Sequence, residues 1–219
     1  MAGRGRRGRI VIAAVLVAVA ALVGGAALWT LAEYLLHRFA MHALNGKGIM
    51  SREHLEHHVG SSWSFSHTHL LSWAGVILVG LLVWAPIGWL VAGVPGLALG
   101  LGWCLGYAGY EHQHAMAHLR GPRGRYSAWL RRHHFHHHFG HPRANHGVTT
   151  SVWDHLFGTH ERPERVRVPR RLAQPWMLDG DRIRPELAAD YVLVGSTDPS
   201  SRAAQLDRVR AFASLAPED

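Results

Sequence analysis

The chain has 219 residues, with 23 Lys and Arg against 15 Asp and Glu and a formal net charge of +8. Residues Leu70 to Tyr110 include no Asp, Glu, Lys or Arg, and from Ile10 to Leu36 the only charge is Glu33. Runs of that length exclude a purely soluble protein. The lone cysteine, Cys104, excludes an intramolecular disulfide scaffold and a cysteine-based zinc site.

Residues 1–9 form a basic leader carrying Arg4, Arg6, Arg7 and Arg9, which at the edge of a membrane reads as head-group contact rather than nucleic-acid binding. The Ala-, Val- and Leu-rich stretch from Ile10 to about Leu36 is long enough to cross a bilayer, for which ~20 helical residues suffice. A signal peptide cut near Gly24–Ala27 is the competing reading, weakened because the apolar character continues without a break into Glu33–His42. Ser51 to Ser66 is polar and histidine-rich. Leu70–Tyr110 then suffices for two crossings, with a turn at Pro86 and Gly88 or at Gly93-Val94-Pro95-Gly96. Trp63, Trp73, Trp84, Trp89 and Trp103 are candidate interface anchors. Beyond Glu161 a polar tail begins, and Asp198-Pro199-Ser200-Ser201 predicts the start of a short amphipathic helix ending near Leu215. The expected architecture is an all-α integral membrane protein. It has about three crossings, one long helix plus a hairpin, with a histidine-rich helical cap at the membrane surface. Its parts are the leader 1–9, a membrane-embedded catalytic domain 10–160 and the tail 161–219.

Histidine usage is the anomaly: all 19 fall between His37 and His160. Four clusters stand out. They are His37 with His42, His54 with His57 and His58, His114 with His118, and His134 with His137 and His138. On a helix, residues three and four apart share a face, so three of the clusters can each aim their imidazoles one way. His37 and His42, five apart, fall about 140° apart on an ideal helix. They must bracket a site from two sides or sit at a local distortion. Neutral imidazole suits iron, zinc, copper or nickel, and ten rings exceed what one four-coordinate ion takes, so two metals are expected. His67, His69, His155 and His160 read as packing or capping residues. A histidine-rich metal transporter or binder is the alternative from another class, but a transport path calls for ionisable residues at the centres of the spans, which are lacking.

The residues 32–42 (Ala-Glu-Tyr-Leu-Leu-His-Arg-Phe-Ala-Met-His), with His54-Leu55-Glu56-His57-His58 and Tyr110-Glu111-His112-Gln113-His114, resemble the fatty acid hydroxylase and sterol desaturase superfamily. So do His134 to Phe139, Asn145-His146-Gly147-Val148-Thr149-Thr150 and Trp153 to Thr159. The resemblance covers roughly residues 30–160. It implies a membrane oxygenase with two iron ions, for which zinc can substitute in a structure, and with O2 as co-substrate. The ligands it implies are His37, His42, His54, His57, His58, His114, His118, His134, His137 and His138. A rival register uses His133, His136 and His137 in the last cluster, and His112 in place of His114. Glu33 and Asp154 are candidates to accept the outer N–H of a ligand imidazole, and a helix-cap or turn role for Asp154 stands equally open.

An unactivated C–H bond is beyond acid–base side chains, so a redox metal must supply the oxidant, which zinc cannot. Expected products are hydroxylated fatty acyl chains, with carotenoid hydroxylation or sterol-type desaturation as alternatives on the same site. Expected partners are a membrane lipid and a separate electron-donor protein, drawn to cations such as Arg131 and Arg132; nucleic acid is not expected. Family members commonly carry a further crossing before the first cluster. With one run here, arginines at both ends compete over orientation, and a re-entrant bend at Gly24-Gly25 would leave arms too short to span. A single long helix with the catalytic face cytoplasmic, in the plasma membrane of a bacterium, is the expectation.

Overall fold

The computed structural model describes residues 2–218, with side chains from residue 6 onward; Met1, Asp219 and the side chain of Arg4 lie outside the described residues. The chain forms two compact units: residues 1–32 with 65–111, and residues 33–64 with 112–219.

The first unit is apolar. Helix α1 (Ala2–Leu35) is unbroken through Gly24 and Gly25, so the re-entrant bend does not form. Those glycines serve helix contact instead: a Cβ on Gly25 would stand 2.0 Å from the Leu99 carbonyl oxygen, and one on Gly102 would stand 2.0 Å from that of Leu22. Only hydrogen fits where α1 crosses α5 (Ala98–Leu119). α3 (His67–Val79) begins with a capping box in which Ser66 and His69 satisfy each other's backbone amides, the capping role expected of His69. It continues through a π-helical turn, Gly80–Trp84, into α4 (Ala85–Ala92). That turn ends two residues before Pro86, whose ring an α-helix would press against the carbonyl four residues back, within the turn. The hairpin closes at the second expected place, where Gly93 takes φ 65° and Val94–Leu97 makes a short 3-10 turn. Trp103 is an internal packing residue, edge-on to Trp29 at 5.1 Å and donating to the Val76 carbonyl, whereas Trp89 is exposed.

Among the described residues, two helical stretches, 6–42 and 67–92, are long and apolar enough to cross a membrane. The third expected crossing is less clear-cut: α5 is apolar only to Tyr110 and then carries Glu111 and the histidines. Many aliphatic side chains of α1, α3 and α4 are exposed, Leu90 and Val91 by 75% and 82%, and need a lipid surround. The protein is thus a predominantly helical membrane protein.

The second unit holds α2 (Ile49–Gly60), α6 (Arg125–Phe139), the single turn α7 (Val152–Leu156) and α8 (Arg202–Phe212). It also has four short strands that the all-helical expectation lacked. β1 (Val166–Pro169) pairs in parallel with β4 (Tyr191–Val194), and β2 (Leu178–Asp179) pairs antiparallel with β3 (Arg182–Ile183). Although polar in composition, the segment after Glu161 supplies five of the seven residues of an apolar cluster. Val166, Val168, Met177, Leu187 and Tyr191 pack on Phe135 and Phe139 of α6. α8 starts where expected, the Ser201 hydroxyl accepting from the Ala204 amide.

Candidate metal centre

The first histidine pair resolves through backbone geometry. Beyond Leu35 the helix widens into a π-helical turn, Leu36–His42, and the Ala43 amide donates to the Arg38 carbonyl five residues back at 3.2 Å. Bonding five apart stacks residues five apart, as an α-helix stacks those four apart. His37 and His42 therefore present their rings together, 5.2 Å between centroids. The local distortion is the alternative realised.

α6 shows how a helix can carry so many histidines. From Leu130 to Phe139 all its residues except Arg132 are buried, and three faces do different work. His134, His137 and His138 face the other histidines. Phe135 and Phe139, stacked 5.5 Å apart, face the core. His133 and His136 face carboxylates, Asp154 at 3.3 Å and Glu161 at 2.8 Å.

The ten expected ligands gather into two groups of five: His37, His42, His54, His58 and His137, then His57, His114, His118, His134 and His138. Within each group one ligand nitrogen per residue lies within 4.8 Å of all the others. The groups adjoin, since His58 of one stacks on His138 of the other at 4.1 Å. The rival register is not assembled: His112 is exposed, and His133 and His136 are the carboxylate-paired residues just described.

Proton placement shows what such groups can hold. The outer Nδ1–H donates away from the centre: from His37 to the His146 carbonyl at 2.5 Å, from His137 to Ala144 at 2.7 Å, from His57 to Ser62 at 2.8 Å and from His118 to Ser61 at 3.1 Å. With those protons committed, the inner Nε2 atoms of His37, His137, His57 and His118 carry lone pairs. They meet the Nε2 atoms of neighbouring rings closely, at 3.0 Å for His37 and His54, 3.0 Å for His42 and His137, and 2.9 Å for His118 and His134. Nitrogens at that spacing share either a proton or a cation. Ligands about 2.1 Å from an ion are about 3.0 Å apart at right angles and about 3.4 Å apart in a tetrahedron. The closest contacts are of that size, and every pair within a group lies within 4.8 Å. His138 has no hydrogen-bond partner for either ring nitrogen among the described residues, though both are buried. The donor set thus fits a pair of imidazole-bound transition metals.

Outside the membrane-spanning segments, His54, His58, His134, His137 and His138 are held well below the usual imidazole pKa by burial and then by neighbouring imidazoles. They are neutral, as ligation requires.

Glu33 and Asp154 are placed differently from expectation: neither takes a proton from one of the ten imidazoles. The Glu33 carboxylate accepts the Val148 amide at 2.6 Å, the Thr149 amide at 2.8 Å and the Thr149 hydroxyl at 2.7 Å. Asp154 accepts the His146 and Gly147 amides at 2.8 and 2.9 Å and the Thr159 hydroxyl at 2.8 Å. Together they clamp the loop whose carbonyls at Ala144 and His146 receive His137 and His37. Amide donors outcompete a ring N–H here because buried loop amides have no other acceptor. Arg131 also departs from expectation. It is 3% exposed and donates to the Met116, Arg120 and Ser127 carbonyls, closing the C-terminal end of α5 rather than offering a surface charge. Arg132 pairs with Asp190.

Sequence spacing misses the acceptors. Ser61, Ser62, Ala144 and His146 act through backbone oxygens, which leave no residue-type signature. Ser214, whose hydroxyl meets His42 Nδ1 at 3.1 Å, lies 172 residues from it. The buried ring of His146, 5.4 Å from His37, was likewise unmarked as part of the centre.

Comparison with known proteins places this arrangement. The chain is 34% identical over 146 residues to fatty acid 2-hydroxylase of Macaca fascicularis and 32% identical over 146 residues to that of Homo sapiens, covering 62% of this chain and 38% of each relative. It is 29% identical over 139 residues to dihydroceramide fatty acyl 2-hydroxylase of Arabidopsis thaliana, covering 62% of this chain and 58% of that protein. The chain thus spans well under two thirds of the length of these relatives. No solved structure matches it. The fatty acid hydroxylase family matches residues 22–159, a span that includes all ten clustered histidines, Glu33 and Asp154. The chain belongs to the fatty acid hydroxylase family.

Proposed function

We propose that this protein is a membrane-bound non-haem di-iron oxygenase that hydroxylates a fatty acyl chain, using O2 and electrons from a separate donor protein. The observation that carries the reading is the pair of five-histidine groups, in each of which the ring nitrogens converge to within 4.8 Å while four of the ten rings turn Nδ1 outward to backbone carbonyls. His37, His42, His54, His58 and His137 would hold one iron, and His57, His114, His118, His134 and His138 the other. Bound iron supplies the redox chemistry that an unactivated C–H bond demands and that acid–base side chains lack. One oxygen atom goes to the new hydroxyl and the other to water, with two electrons and two protons from outside.

The chain's own part is to hold and shield. Burial keeps the imidazoles neutral and water out, and the loop clamped by Glu33 and Asp154 fixes ring orientation. The names of the relatives point to the carbon next to the acyl carbonyl as the position hydroxylated. We place the centre on the cytoplasmic side of a bacterial plasma membrane, where a soluble donor can reach it. With Arg131 buried, donor attraction falls to exposed cations such as Arg123 and Arg125.

Lipids extracted from cells with and without the protein, analysed by mass spectrometry, test the reading. A gain of one oxygen on the acyl chain supports it, and loss of two hydrogens would instead indicate desaturation. Purified protein with two bound irons but no lipid-dependent O2 uptake would favour a metal binder.

A further inference from the structure

The centre has a support from outside the family-matched span. We propose that Ser214 is a positioning residue for His42, delivered by the C-terminal helix, and that it holds one of the two metal sites and not the other. The proposal rests on reading the histidines as metal ligands.

Ser214 lies two residues beyond the end of α8, is 4% exposed and adopts φ 51°, a left-handed conformation that closes the helix with its amide bonded to the Ala211 carbonyl. Its hydroxyl oxygen accepts the His42 Nδ1 proton at 3.1 Å and lies 3.5 Å from the His42 carbonyl. His37 and His137 of the same group bond instead to backbone carbonyls of the 144–146 loop. His42 thus depends on a side chain, and on the docking of α8 that brings it.

That docking is secured independently. Arg171 grips Asp207 of α8 through two bonds, at 2.7 and 2.6 Å, with both side chains buried. Arg143 donates to the Ala213 carbonyl at 3.1 Å, next to Ser214. A paired guanidinium and carboxylate, desolvated together, resist separation far more than an exposed pair does. The hydroxyl is therefore presented at a fixed point. In the second group α8 reaches only the neighbourhood of His138, where Asp207 and Ala211 line a small cavity with it, and the hydrogen bonds shown for His118 and His57 go elsewhere. His118 uses the Ser61 carbonyl, which also accepts from Gln174, and His57 uses that of Ser62.

The experiment loads the full chain in detergent with Zn(II), a redox-silent probe, and follows release to a chromophoric chelator. Wild type should give two equivalents. Ser214→Gly removes the hydroxyl at a position whose backbone glycine adopts without strain, and Ser214→Ala removes it while keeping a Cβ. In both variants one equivalent should be released with at least about tenfold weaker affinity while the other is unchanged. Equal weakening of both equivalents, no weakening, or weakening in the alanine variant alone would each overturn the proposal, the last by assigning the effect to backbone strain. A wild-type chain that fails to retain two equivalents would refute the di-metal reading as well. Two retained equivalents with unshifted variants would refute this proposal alone.

Discussion

The two units are built on opposite principles. In the apolar unit, helices meet where side chains are missing, as at Gly25 against Leu99 and Gly102 against Leu22, and aromatic edges such as Trp29 on Trp103 fill what is left. In the histidine unit, the interior is crowded with polar groups, several of which, such as His37, His118 and His137, place an outer ring proton on a backbone carbonyl. Added volume should break the first, and loss of one nitrogen or oxygen the second.

The largest effect is expected from His137→Ala. It removes an inner nitrogen from the first group, and lipid-dependent O2 uptake should fall at least about 100-fold with loss of bound metal. Metal analysis beside the uptake assay checks this, and retained activity would sink the ligand role. Gly102→Val tests the apolar unit, driving a side chain into the Leu22 backbone. We expect about 3 kcal/mol of destabilisation, read as a lowered midpoint of unfolding in detergent.

Acid should act on the histidine unit selectively. Folding holds His54, His58, His134, His137 and His138 neutral by burial, below the ordinary value of 6.5. Once unfolded, these rings bind protons more readily than in the fold. Metal-free stability is therefore full above about pH 6.5 and falls as pH drops toward the folded values. A metal-free unfolding midpoint independent of pH between 7.5 and 5 would contradict the burial.

Asp154→Asn should cost about 1–3 kcal/mol, because one acceptor oxygen of the clamp becomes a donor facing donors. Combined with Glu33→Gln, the loss should be less than additive, as both carboxylates hold one loop, and a double-mutant cycle measures this. The smallest effect is expected for Arg208→Ala, which removes an exposed pair with Glu56 and should change stability by less than about 1 kcal/mol with metal content unchanged.

Much of the histidine grouping was legible because residue type and helical spacing act together there. His54, His57 and His58, like His134, His137 and His138, read directly as one face of a helix. The choice between His134 and the rival His133 register could be argued from a motif, but burial against Asp154 and Glu161 decides where the rival rings go. Arg131 was misread because a basic residue in a polar segment looks exposed, and nothing local says that a helix end will need its guanidinium.

Composition and local spacing alone determined that this chain belongs in a membrane and that its histidines fall in four clusters at helical spacing, with the choice among His112, His133, His136 and their neighbours resting on resemblance. These are properties of short segments, set by apolar length and by the period of a helix. Only the tertiary structure decided that the ten divide five and five, that a π-helical turn aligns His37 with His42, and that carbonyls from distant loops and a serine 172 residues from His42 hold the rings. Those outcomes depend on which backbone oxygens arrive beside which nitrogens, and a backbone oxygen is the same in every residue.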